Sequence, residues 1–330
     1  MHIPSNKILK SNASLRVSQS ENAGKIVLIY SAVMTAMALV VTVVNYCLGL
    51  QISQMGGLSN MGTKSILSTI QSVLPMIQSA VLMCLNIGYL AAMMRVNREQ
   101  YASAQTLKLG FERFWLLLRV TILLYGIYLG LCLAASWIAA QLFMFTPFSA
   151  PLTELLMPYL SGTSMNMDFM LDEIVYAQVM EAMIPMLILF AVIYLAFLTP
   201  FLYSYRMVNY IIVDKPGMSA LAVLRESKLM MKGSRMRLFK LDVSLWWWYL
   251  LSAALTVVAY GDAILAAMGV SLPFSADVGY FLFFILFLAG QFAMYFFLRN
   301  RVEVTYAQVY EKLRPREENN GAVLGNIFQM

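Results

Sequence analysis

Six runs of about twenty or more apolar residues, set apart by short polar segments, constrain this chain more than any other feature of it. They fall at 26–50, 66–94, 114–145, 184–205, 241–260 and 278–298. As a helix, each is long enough to cross a hydrocarbon layer about 30 Å thick. A helix satisfies every backbone polar group within itself, which hydrocarbon demands and an open strand cannot meet. Composition agrees. The chain is 60% hydrophobic and 12% charged, against roughly 45–50% and 25% in soluble domains. Its mean hydropathy is +0.70. The expected fold is an all-α, polytopic membrane bundle of about six transmembrane helices.

Charge predicts the orientation. Of the 23 Lys and Arg residues, all but Lys64 and Arg119 lie in four segments: the N-terminal region, the connections after spans two and four, and the C-terminal region. The intervening connections carry Glu154, Asp168, Asp172, Glu173, Glu181, Asp262 and Asp277 instead. By the positive-inside rule both termini are cytoplasmic and the protein sits in the cell (plasma) membrane. The first 25 residues are polar, and the apolar run after them exceeds the roughly 7–15 residues of a signal-peptide core. That run therefore reads as an uncleaved anchor. The expected organisation is a cytoplasmic polar tail at 1–25, a membrane domain at 26–298 and a cytoplasmic tail at 299–330.

The same inventory narrows the chemistry. The only histidine is His2, and Cys47, Cys84 and Cys132 stand far apart inside apolar runs. Neither a His-based site nor a disulfide or zinc framework is indicated, no cofactor is implied, and no catalytic constellation is visible. The net charge of +6 reflects topology rather than nucleic-acid binding.

The stretch 203–251 is the most distinctive. Its Asp214, Pro216, Ala220, Ser227, Met231, Lys232, Gly233, Leu238, Phe239, Leu241 and Ser244 resemble the pattern of the bacterial integral-membrane family catalogued as domain of unknown function 975. The segments 107–115 and 305–313 fit the same family, whereas Leu245-Trp246-Trp247-Trp248 stands where it usually has Phe-Ile-Gly-Trp. The family is similar in style to the membrane domains attached to some glycerophosphodiester phosphodiesterases. The resemblance implies an architecture and brings no activity with it.

Two interfacial helices are expected on the cytoplasmic side. One covers 219–232, with Ser219 as N-cap and Gly233 as stop, and sets Arg225, Lys228, Lys232 and Arg235 along one stripe. Such a stripe suits an anionic lipid headgroup or an acidic membrane or cytoplasmic protein partner. The second covers 103–113, where Ala104, Leu107, Phe111 and Phe114 recur at helical spacing.

Inside the membrane, Gln71, Gln78 and Asn86 fall within about 80° of one another on a helix, so they line a polar pocket or bond between helices. Pro75 is expected to break the helix beside them. Gly126, Gly130 and Ala134 step by four and suit close helix packing. An outer cluster of Met165, Met167, Met170, Met180 and Met183 with nearby acids is a weak Cu(I) candidate, since thioethers are soft ligands and flexible core filler alike. The leading functional expectation is a non-enzymatic scaffold or accessory component working through its cytoplasmic hairpins. A passive or partner-driven permease for a small amphiphile or lipid is the alternative, and an outer-face Cu(I) binder comes next. Ligand, partner and oligomeric state stay open.

Overall fold

The computed structural model describes residues 4–55, 61–160, 173–270, 273 and 275–314, and these contain helices and no strand. In chain order they are α1 (Asn6–Gln19), α2 (Ala23–Gln54), α3 (Met61–Asn97), a 3-10 turn (Ala104–Lys108), α4 (Leu109–Glu112), α5 (Phe114–Met144), α6 (Ser149–Leu160), α7 (Glu173–Ser204) and α8 (Val208–Asp214). There follow α9 (Ala220–Met230), α10 (Arg235–Ser244), α11 (Trp246–Ala259), α12 (Gly261–Ala267), α13 (Ala276–Met294), a π-helical turn (Tyr295–Arg299) and α14 (Asn300–Leu313).

Among the described residues, five helices are long and apolar enough to span a membrane: α2, α3, α5, Glu181–Asp214 and Asp277–Leu313. The pair α10 and α11, bent by 62°, makes a sixth if counted as one span. These helices leave large apolar side chains outward, among them Leu129, Leu133 and Trp137 on α5 and Ile188, Val192 and Leu195 on α7. In water such faces would drive association, and in hydrocarbon they are matched to their solvent. The chain is a multi-pass membrane protein.

Span five differs from its expected 241–260. The helix breaks at Leu245, so α11 begins with the three tryptophans and its 14 residues rise only about 21 Å. The physical reason lies in α10, whose Arg235, Arg237 and Lys240 cannot enter hydrocarbon without great cost. Pro75, by contrast, leaves α3 continuous from Met61 to Asn97.

The described residues form two compact units, Leu118–Arg206 and the remainder. Within Leu118–Arg206, Ala135 and Ala139 of α5 bury themselves against Ile193, with Leu189, Phe190 and Tyr194 alongside. Ser136 and Tyr194 share a 2.5 Å hydrogen bond. The expected packing face is a different one: at Gly126 and Gly130 nothing lies within 4 Å of where a Cβ would sit, and Ala134 is exposed. Packing selects the face one residue further on, where Ser136 can also bond.

The other unit gathers its core at the basic ends of the helices. Tyr30, Tyr89, Met93, Leu107 and Val304 are buried together there, with Ala13 of α1. The described residues of the two expected tails fold into helices. Helix α1 buries Leu9 and Ala13 and packs against α14. Helix α14 buries Val302, Val304 through Tyr310, and Leu313. The segment expected as a helix at 103–113 splits into the 3-10 turn and α4 because it is pressed onto α3. A Cβ on Gly88 would strike the Leu107 backbone, and one on Gly110 the Cys84 carbonyl.

Backbone obstructs both glycines, so Gly88→Ala and Gly110→Ala should each destabilise the protein by about 1–3 kcal/mol, as overpacking does. Gly126→Ala, in open space, serves as the control and should not lower stability. Thermal unfolding in mild detergent measures all three; an unchanged midpoint for both Gly88→Ala and Gly110→Ala would refute the close approach.

Candidate functional site

Many cations at the basic ends are engaged by the fold. Asp214 closes α8 with its side chain only 5% exposed, 2.7 Å from Arg98 and 3.3 Å from Arg314. The Tyr310 hydroxyl donates to it at 2.9 Å, and Arg98 also reaches Glu311 at 2.6 Å. Burial works against the charge of Arg98, but its hydrogen bonds to Asp214 and Glu311 outweigh burial and hold its pKa above the ordinary value. Arg113 donates to the carbonyls of Ile212 and Val213 at the end of α8, where a cation meets the negative pole of a helix. Its pKa is lowered, chiefly by burial.

Helix α1 is fastened to α10 in the same way. Lys10 donates to the Ser244 carbonyl, Asn6 to that of Lys240 at 3.0 Å, and Arg237 to that of Pro4 at 2.5 Å. The most deeply held cation is Arg299. Its guanidinium lies 4.5 Å from the Tyr30 and Tyr295 ring centroids and 4.9 Å from that of Tyr89. It donates to Asn86 and lies 3.8 Å from Glu303. The sequence offered no signal for this cage, because the three rings stand on separate stretches of chain and Arg299 reads as one more topology charge.

Four further cations, Arg225, Lys228, Lys232 and Arg235, make the stripe expected from the sequence and line one groove. Ser219 caps α9 by accepting from the Ala222 N–H at 3.4 Å. Lys215 draws Glu226, the one acid of α9, to 2.8 Å and so away from the stripe. Gly233, at φ +82°, turns the chain from α9 into α10 in a conformation L side chains rarely adopt. The result is an open groove of about 690 Å³ lined by Arg225, Lys228, Leu229, Lys232, Gly233, Arg235 and Met236. No carboxylate lines it, and among the described residues none pairs with its four cations. The Arg235 Nε is buried and without a hydrogen-bond partner.

The polar stripe of α3 does not form one wall. Gln71 donates to the Asn45 carbonyl at 3.2 Å and lines a pocket of about 380 Å³ with Thr42, Asn45, Tyr46 and Tyr280. Asn86 instead accepts from Tyr30 at 3.3 Å and from Arg299, and Gln78 stands half-buried between them. Of the methionine cluster, Met165, Met167 and Met170 lie outside the described residues, while Met180 and Met183 belong to α7. No group of three or more His, Cys, Asp or Glu residues is placed to hold a metal ion among the described residues.

The model of the family described as Protein of unknown function (DUF975) matches residues 6–317, and the chain belongs to that family. Neither the curated proteins nor the solved structures contain a match. The family-like residues of 203–251 divide between interior and groove: Ser227, Met231, Leu238 and Leu241 are buried, whereas Lys232 and Gly233 line the groove.

Arg299→Lys keeps the charge and loses the flat guanidinium, so it should cost about 1–2 kcal/mol of stability. Tyr30→Phe should cost less, because it keeps the ring and gives up only a long hydrogen bond. Unfolding midpoints in detergent test the order; equal stability of Arg299→Lys and the parent would mean that charge alone fills the cage.

Proposed function

For this member of a family of unknown function we propose a non-enzymatic scaffold or accessory component of the cell membrane. Both its termini lie in the cytoplasm, and it holds an acidic ligand at its cytoplasmic hairpins. One observation carries this reading: four cations that no carboxylate pairs among the described residues, Arg225, Lys228, Lys232 and Arg235, line a single carboxylate-free groove. The distribution of Lys and Arg along the chain supports the orientation. The division of the α3 stripe between two separate surroundings favours this reading over passage of a solute.

The rigid backing of the groove also fits recruitment. Lys215 and Asp214 tie α9 and α8 into the ion-paired network, so a ligand meets a surface already ordered, and less entropy is lost on binding.

Purification from native membranes in mild detergent, with analysis of both proteins and lipids, tests the proposal. The parent should carry a stoichiometric acidic component, protein or lipid, that the triple variant Arg225→Glu, Lys228→Glu, Lys232→Glu loses. The variant Gln71→Ala, Gln78→Ala, Asn86→Ala should retain it. A variant-independent set of companions would overturn the reading. Cysteine labelling gives the topology: Lys232→Cys should react only from the cytoplasmic side and Glu154→Cys only from outside.

A further inference from the structure

The groove has features beyond its charge that bear on what fills it. Resting on the accessory reading above, we infer that it is a headgroup site for an anionic phospholipid carrying two phosphates, drawn from the cytoplasmic leaflet.

Depth comes first. The groove lies where α9 turns into α10, and α10 bends by 62° into α11, which opens with Trp246, Trp247 and Trp248. Tryptophans gather at headgroup level, and α10, with Arg235, Arg237 and Lys240, belongs in the interfacial layer rather than the hydrocarbon. The groove at its start therefore opens among headgroups. Apolar side chains stand beside the cations: Leu221, Leu229 and Met236 are each 65% exposed. A water-soluble phosphate has no use for them, whereas the glycerol and upper acyl carbons of a lipid do.

Spacing sets the number of phosphates. Arg225 and Lys228 stand one helical turn apart on α9, and Lys232 and Arg235 follow past its end at Met230, on either side of Gly233. Each pair of cations matches one phosphate. Two phosphates joined by a short bridge reach both and neutralise more of the four cations without crowding a second lipid into an open cleft of about 690 Å³. The buried, unpartnered Arg235 Nε supplies a donor that a phosphate oxygen would satisfy. The carboxylate that could compete, Glu226, is held by Lys215.

The test uses the full chain in mild detergent, titrated with cardiolipin or with phosphatidylglycerol at equal total phosphate and followed by native mass spectrometry. Cardiolipin should bind at least about tenfold tighter, since each well-placed cation is worth roughly fivefold. Lys232→Gln with Arg235→Gln should weaken cardiolipin about 25-fold and abolish the preference. Arg225→Gln with Lys228→Gln provides a second pair, should the first disturb the turn. Equal affinity for the two lipids, or undiminished cardiolipin binding by both pairs, would sink the inference. So would displacement of cardiolipin by an equal concentration of inorganic pyrophosphate, which would assign the groove to a soluble phosphate. If cardiolipin is not preferred while charge reversal still removes a protein from the native purification, the accessory reading stands and the lipid assignment alone falls. If charge reversal removes nothing, both fall.

Discussion

The basic half of this protein depends on how it shelters one guanidinium. Arg299 follows directly on an apolar helix and is 8% exposed at its side chain, a placement that would be prohibitive for an unpartnered charge. Tyr30 from α2, Tyr89 and Asn86 from α3, and Tyr295 and Glu303 from its own helix enclose it. Tyr89 then donates to Asn300 at 2.5 Å, and Asn300 to the Ala23 carbonyl at 3.2 Å. The charge thus fixes α2, α3 and the α13–α14 helix against one another. The π-helical turn that carries Arg299 also changes the register between α13 and α14, so that an outward apolar helix continues as one buried on almost every side.

From α14 the remaining order spreads outward. Its Tyr310, Glu311 and Arg314 meet Asp214 and Arg98, which secures α8 against the end of α3. Its Tyr306 donates to Asp242 and shares a 3.2 Å hydrogen bond with Tyr249, which reaches both sides of the bend between α10 and α11. Helix α1 covers what is left and clasps α10. The cations divide accordingly: Arg98, Arg113, Arg299 and Arg314, facing α14 and its neighbours, are spent on structure, whereas the four on the outer face of α9 and the turn after it line the groove.

The elements differ in how far the chain itself announces them. Apolar length and charge bias place the spans, because hydrocarbon imposes its requirement on each segment separately. Ser219 and Gly233 mark the ends of α9 for an equally local reason, and the stripe of Arg225, Lys228 and Lys232 follows from helical periodicity alone. The failures share a cause as well. The small-residue face of α5 is off by one residue, since Ala135 and Ala139 find a partner and Gly126 and Gly130 find none. The regions 1–25 and 299–330 read as polar tails because α1 and the first part of α14 are rich in charge and amide, and only their mutual burial reveals that these two helices are part of the core.

By itself, then, the sequence determined membrane residence, helical class, most of the span positions and the basic stripe, all properties that one segment and its solvent settle between them. Tertiary structure decided which cations the fold engages. Arg98, Arg113, Arg299 and Arg314 look no different in sequence from Arg225, Lys228, Lys232 and Arg235, and only the three-dimensional meeting of Asp214, Glu311, the carbonyls of α8 and the tyrosine cage with the first group separates them. That separation depends on partners up to 213 positions apart, a distance over which no local pattern carries information.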